Sequence, residues 1–281
     1  MNAGASPAKG YASLAAAVVR LRAENAALRR AAAEARRVID AERRLAEQLR
    51  HIILPLPAAP FTLPGLQVAV RYLPAEHGEP VGGDWYHAAA AADGTVVLAV
   101  GDVAGHGLTA AATMTELRHA LAALVVTTTT DPAELLGYLN RVLCDREGER
   151  PRTATAVITR FDRTTGVLTW AQAGHPVPLL VHGHEVSELA RPQGMLLGAN
   201  ARSGYRTATA TLARDDTLVL FTDGLIEPRG GGHDERLDDV ADSLLASIAE
   251  GGDCSLTELL RRLPPANPDD DTCILAARCA T

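Results

Sequence analysis

From Tyr11 to Ile53 the chain contains neither glycine nor proline, and the stretch then runs into Leu54-Pro55-Leu56-Pro57. A segment of that length built from Ala, Leu, Arg and Glu predicts one long helix. Proline lacks the backbone donor and restrains the residue before it, so the helix is expected to stop there. With Leu14 at heptad position d, Leu21, Leu28, Ala35 and Leu49 recur at d. Val18, Asn25, Ala32, Ile39, Ala46 and Ile53 fall at a. β-Branched residues at several a positions, leucine at most d positions and a single Asn25 at a form the pattern of a parallel two-stranded coiled coil. Glu42 breaks the register at d, and Leu45 and Ile52 can carry the seam after a local shift. The alternative is an amphipathic helix folded back on its own domain. A helix of some forty residues extends about 60 Å, more than one packing contact needs, so dimerisation is the expected use.

The expected organisation is therefore a disordered tail over residues 1–10, a coiled-coil helix over 11–54 and a catalytic domain over 55–281. Charge follows the same division: residues 1–50 carry +5, which leaves −12 on the rest of a chain whose net charge is −7. The N-terminal arginines alternate with glutamates at helical spacing and read as a solvated helix face, and the acidic remainder argues against a grip on phosphate backbones. Nucleic acid is not an expected partner. Cys144, Cys254, Cys273 and Cys279 show no Cys-x-x-Cys spacing, which favours packing roles in a reducing setting over zinc or disulfides. No apolar run approaches the ~20 residues of a membrane span, and no leader pattern opens the sequence. A cytoplasmic protein is expected.

Beyond Pro57 the pattern changes to short β-type runs punctuated by glycine and proline, interleaved with helices. Strands are predicted at 66–72, 95–102, 154–162, 167–173, 178–182, 205–212, 217–222 and 272–277. Helices are predicted at 107–126, 132–143, 234–249 and 255–263. Tight turns such as 161–166 imply antiparallel pairing, and the arrangement predicts stacked sheets flanked by helix pairs. Apolar residues make up 47% of the chain but aromatics only 4%, so that core must be built from Leu, Val, Ile and Ala.

The chemistry is carried by four aspartates, each beside glycine or at the end of an apolar run. They are Asp84 in Gly82-Gly83-Asp84-Trp85-Tyr86, Asp102 in Gly101-Asp102-Val103-Ala104-Gly105-His106-Gly107, Asp223 in Phe221-Thr222-Asp223-Gly224, and Asp269 in Asp269-Asp270-Asp271-Thr272. A single Asp-Gly after a strand is ordinarily a turn; the weight lies in the conjunction. Carboxylates brought to one point, with glycine leaving room for close approach, suit a hard oxygen-preferring cation such as Mg²⁺ or Mn²⁺. Two strand-end acids, Asp102 and Asp223, are expected side by side in neighbouring strands. Glycoside acid/base chemistry also uses paired carboxylates, but this aromatic-poor chain offers few sugar platforms. Phosphoryl hydrolysis fits better. Paired divalent ions can activate water and neutralise a phosphoryl group together, for a reaction whose enzymes reach on the order of 10²¹-fold acceleration.

These motifs, with Ala173-Gly174-His175-Pro176, Gly194-Met195-Leu196-Leu197-Gly198 and Asp269-Asp270-x-Thr272, occur in the order found in metal-dependent (PPM-type) serine/threonine phosphatases. The chain resembles the bacterial branch typified by the stage II sporulation protein E and the stress-response phosphatases that act on anti-sigma-factor antagonists. The likeness spans roughly residues 50–281, and His51-Ile52-Ile53-Leu54-Pro55 resembles the helix exit preceding that domain. It implies a four-layer αββα sandwich of two antiparallel sheets, two Mn²⁺ or Mg²⁺ ions per subunit, and a phosphorylated regulatory protein as substrate. By motif, Asp102 would bridge the metals, the Val103 carbonyl would help hold one of them, and Asp84 would serve one ion through ligand or water contacts. Asp223 and Asp269 would serve the other, with Asp270 as the alternative to Asp269. A metal-activated water would attack phosphorus in line.

Three departures stand out. Ala104 occupies the position where eukaryotic relatives have a histidine proposed as general acid, and His106, two residues on, reads as a loop or helix-start residue. Pro80-Val81-Gly82-Gly83 replaces the stretch carrying their phosphate-binding arginine. His87 stands where bacterial relatives commonly have an acid. His175 reads as structural, and Trp85 and Trp170 as core. The competing expectation is a catalytically silent module that uses the same fold to hold a partner.

Overall fold

The computed structural model describes residues 7–75, 82–145, 152–227, 233–249 and 255–280. The chain divides into two units, Met1–Leu49 and Arg50–Thr281.

Residues 1–6 of the expected tail lie outside the described residues, and the described residues of the first unit lie within a single helix, α1 (Pro7–Ile53). It opens on Pro7 rather than at Tyr11, proline being well suited to a first helical turn where its missing N–H has no partner to lose. Arg20–Glu24 and Glu34–Arg37 form i,i+4 and i,i+3 ion pairs along it. The heptad residues Val18, Leu21, Leu28 and Ile39 are exposed.

The second unit is a four-layer sandwich. Its outer elements are α2 (Gly107–Thr127) and α3 (Pro132–Cys144) on one side, and α4 (His233–Ala249) and α5 (Leu256–Arg261) on the other. Between them lie two antiparallel sheets. The first contains β1 (Phe61–Leu63), β2 (Leu66–Leu73), β7 (Leu179–His182), β8 (Glu185–Glu188), β10 (Thr217–Phe221) and β11 (Thr272–Cys279), in the order β1-β2-β11-β10-β7-β8. The second contains β3 (Trp85–Ala90), β4 (Val96–Val103), β5 (Ala154–Asp162), β6 (Val167–Ala173) and β9 (Ala208–Thr211), in that order. This is the αββα sandwich expected from the sequence.

The central strands are apolar without alternation because both of their faces are covered. On β10 and β11, Leu218, Leu220, Cys273, Leu275 and Ala277 join the core shared with the second sheet, α2 and α3. Their neighbours Val219, Phe221, Ile274 and Ala276 turn the other way and pack with Leu244, Leu259 and Leu263 of the α4–α5 layer. The period of two thus sorts one strand's residues into two cores. Trp85 and Trp170 are both buried in the larger core, as expected.

Three strands went unread. β1 and β8 are short, half-exposed edge strands, and β3 is half alanine, a poor strand signal. The expected strand at 205–212 shortens to Ala208–Thr211. Asp102 and Asp223 are not on neighbouring strands: β4 and β10 belong to different sheets. The acids still converge, because each of these strands is interior to its own sheet and the two sheets face one another.

Candidate metal and phosphoryl site

Register places the acids. Trp85 pairs with Gly101 between β3 and β4, which sets Asp84 beside the end of β4, where Asp102 and Val103 lie. Gly101 is required at that pairing: a Cβ there would sit 2.6 Å from the Trp85 ring. On the facing sheet Phe221 pairs with Ile274, and the Thr222 N–H donates to the Cys273 carbonyl at 3.0 Å. The corner 222–223 is thereby joined to the start of β11, directly after Asp269-Asp270-Asp271. Asp223 then opens a single 3-10 turn, Asp223–Leu225.

A cavity of about 150 Å³ at this end of the sandwich is lined by Gly82, Gly83, Asp84, Asp102, Gly105, His106, Asp269, Asp270 and Asp271, with Ala75. Asp223 is not in its wall, but its charge is the largest Coulombic influence on Asp102 and also acts on Asp84. The sequence's acids are therefore brought to one place. Val103 presents its backbone there too: its N–H donates to the Gly83 carbonyl at 3.2 Å. A Cβ on Gly83 would run into the Val103 carbonyl and lie 2.7 Å from Asp102 Oδ1, so only glycine permits this approach.

The electrostatics are those of an acid cluster short of positive charge. Asp84 is 2% exposed, and burial first, then the Asp102 charge, holds its carboxyl well above the usual range. Asp102 is raised by burial and by Asp223, Asp270 and Asp271, while a side-chain hydrogen bond with Asp84 opposes the shift. Two carboxyl groups can share such a bond only if one carries the proton. Asp223 is pushed up to about 6 by burial, Asp270 and Glu227.

Among the described residues no three His, Cys, Asp or Glu side chains are already drawn to metal-ligand spacing. The donor set nonetheless fits a hard divalent cation: carboxylates and a carbonyl, glycine-backed, with elevated proton affinity that a dication would reverse. Within the triplet, Asp270 acts on both Asp102 and Asp223. Asp269 lines the cavity, its N–H bonded to the Asn267 side chain at 3.1 Å.

Several site residues were not read from the sequence. Asp271 is built into the wall: it accepts from the Ala75 N–H at 3.1 Å and from the Tyr72 hydroxyl, and it fills the space that a Gly82 side chain would need. Thr222 donates to Asp84 Oδ2 at 2.6 Å and accepts from the Cys273 N–H at 2.9 Å. A Thr before Asp-Gly was visible as a motif letter, but its partner lies 138 positions away. His106 is the N-cap residue of α2 and makes no side-chain cap bond. It lines the cavity, as a helix-start residue, so the positive end of the helix sits at the wall. His87 is directed elsewhere. It lines a separate groove with Tyr86, Arg118 and Pro55, and burial and Arg118 lower its pKa to about 4.

A layered αββα sandwich with a carboxylate cluster at one end of its paired sheets defines the fold of the metal-dependent (PP2C-type) phosphatases. Residues 92–280 match the family model for Stage II sporulation protein E (SpoIIE), and the chain belongs to that family. It is 28% identical over 149 residues to the phosphoserine phosphatase RsbU of Bacillus subtilis (strain 168), across 52% of this chain and 43% of that protein. It is 25% identical over 186 residues to the phosphoserine phosphatase RsbP of the same organism, across 65% and 44%. The chain thus spans less than half the length of these curated relatives. Among solved structures, the RsbU and RsbW domains of Rv1364c from Mycobacterium tuberculosis superpose with a TM-score of 0.67 at 30% identity, over 78% of this chain and 61% of that one. Among the described residues no helix is long and apolar enough to cross a membrane.

Proposed function

We propose that this chain is a Mn²⁺- or Mg²⁺-dependent protein phosphatase that hydrolyses phosphoserine or phosphothreonine on a regulatory partner protein. One observation carries the reading: Asp84, Asp102 and Asp223, contributed by three separate segments, all have raised proton affinity, through burial and the charges of neighbouring acids that include Asp270, at one end of the sandwich where a cavity opens. Buried like charges are costly, and a site retaining them at the mouth of a helix N-terminus is built for cations and a phosphoryl group.

Asp102, the Val103 carbonyl, Asp84, Asp223 and Asp269 or Asp270 would hold the two ions. When bound, the ions would supply Lewis-acid activation of water and neutralise phosphoryl charge. The chain's own groups do the rest. Thr222 fixes the rotamer of Asp84 by its 2.6 Å bond. Gly83 and Gly105 keep their own stretches of the wall free of side chains, and α2 would present its positive end to the phosphoryl oxygens.

RsbU and RsbP are named phosphoserine phosphatases, which supports the phosphoserine class; the substrate of this proposal is an anti-sigma-factor antagonist or similar signalling protein in the cytoplasm. Residues 55–281 would form the catalytic domain. Residues 11–54 would pair with a second copy as a coiled coil, supported by the exposure of Val18, Leu21, Leu28 and Ile39, and would relay a partner's signal through the Leu54–Pro57 junction. The test is Mn²⁺-dependent phosphate release from an aryl phosphate and a phosphoserine peptide by the wild type, Asp102→Asn and Asp223→Asn. Loss of release in both variants is expected; equal rates in all three would favour a silent binding module.

A further inference from the structure

His175 is completely buried and lies between the two sheets, next to the acid cluster but outside the cavity wall. Its Nε2 is 3.0 Å from the Phe221 carbonyl, at the end of β10. Its Nδ1 is 2.8 Å from Thr155 Oγ1, on β5. A carbonyl only accepts, so Nε2 carries the hydrogen. Nδ1 of the neutral ring is then the acceptor, and the Thr155 hydroxyl donates to it. Burial keeps the ring neutral, with a pKa lowered to about 3.

What each partner is attached to gives the contact its meaning. Thr155 is the register partner of Asp102 across β4 and β5. Phe221 is followed by Thr222, which donates to Asp84, and then by Asp223. A single imidazole therefore ties the backbone next to Asp102 in one sheet to the corner that carries Thr222 and Asp223 in the other. Its loop is shaped for this: Gly174, with φ +66°, turns the chain out of β6 immediately before His175.

We propose that His175 is a positioning residue of the acid cluster. Through Thr155 on one side and the Phe221 carbonyl on the other, it sets the spacing between Asp102, on one sheet, and the Thr222–Asp223 corner, on the other. It touches neither substrate nor cation. The role rests on the metal-phosphatase reading only for its effect on Mn²⁺ binding; the spacing itself is a property of the cation-free fold.

Two isosteric half-replacements separate this role from general packing. In His175→Gln the amide nitrogen can reach the Nε2 position and keep the bond to the Phe221 carbonyl. In His175→Asn the side chain reaches only the Nδ1 position, so the bond to Thr155 survives and the one to Phe221 is lost. Both variants lose one buried hydrogen bond, and melting temperature should fall by similar amounts. Amide hydrogen exchange on the cation-free full chain is the primary measurement. Faster exchange at Thr222, Asp223 and Gly224 is expected in His175→Asn and not in His175→Gln. Mn²⁺ binding by titration calorimetry is the second, expected to weaken about 10- to 100-fold in His175→Asn, the range for residues that orient ligands, and far less in His175→Gln. Equal exchange at 222–224 in the two variants, or Mn²⁺ affinities that simply track melting temperature, would overturn the proposal. Should the wild type bind no Mn²⁺ and release no phosphate, the phosphatase reading fails, and the exchange result alone decides whether His175 sets the corner.

Discussion

Strand β10 has a buried aspartate before its first residue and an acid cluster beyond its last. Asp216, at the start, is 3% exposed, and donors surround it: the Ala213 N–H at 2.7 Å on one oxygen and the His182 ring at 2.7 Å on the other. Asp84, which meets the far end through Thr222, is as deeply buried, but beyond that hydroxyl its neighbours are other carboxylates. The first arrangement is what a fold needs to bury a charge. The second raises the energy of the cation-free protein, a cost that the proposed cations would offset. Burial alone does not mark a functional acid; what surrounds it does.

The sharpest way to break the contrast is to neutralise one acid at each end. Asp102→Asn should cut Mn²⁺-dependent turnover by more than about 100-fold, since removing the proposed ligand should exceed the loss from removing its supports. It should also raise the melting temperature of the cation-free protein by relieving like-charge repulsion. Asp216→Asn should do the reverse, costing about 1.5–3 kcal/mol of stability with lost charge-assisted bonds while leaving turnover nearly intact. Activity and calorimetric melting on the same samples check both. If the two variants behave alike, the distinction between the ends is wrong.

Next in size is Thr222→Val. It frees the Asp84 carboxylate and leaves the buried Cys273 N–H without its partner, so turnover should drop about 10- to 100-fold with a measurable loss of stability. Gly83→Ala sharpens the same point at the backbone, because the new methyl meets the Val103 carbonyl and Asp102 Oδ1. It should impair Mn²⁺ affinity more than melting temperature.

The smallest expected effect concerns pH. Asp223 has its folded pKa raised to about 6, above the unfolded carboxylate value of about 3.9, so the folded state binds more protons between these values. Its contribution to stability is present below the unfolded value and is lost as pH rises through about 6. The cation-free protein should therefore melt higher at pH 5 than the trend of its other groups gives. Asp223→Asn should remove the difference, and Mn²⁺ should restore stability at pH 7.5.

Much of the sandwich could be read in advance because its central strands are continuous apolar runs: Val96–Val100 before Gly101-Asp102, and Leu218–Phe221 before Thr222-Asp223. β3 escaped notice because alanines carry its outer half, and the pairing that makes it a strand comes from β4, not from its own propensity. The acids were legible by their residue type and glycine neighbours. Their mutual placement was not, since it depends on which sheet each strand joins. Three consecutive aspartates likewise conceal which member is spent on the wall; only the bonds of Asp271 to Ala75 and Tyr72 separate it from Asp270. Thr222 and His175 are supports whose partners lie far away in sequence, and local pattern holds no trace of such distances.

Titration calorimetry of Mn²⁺ into the cation-free chain at pH 7.5, compared with Asp102→Asn, decides whether the converged acids hold cations. Two ions bound per chain are expected in the wild type, with a collapse of that binding in the variant. Absence of binding, or an isotherm that Asp102→Asn leaves unchanged, would contradict the proposed site.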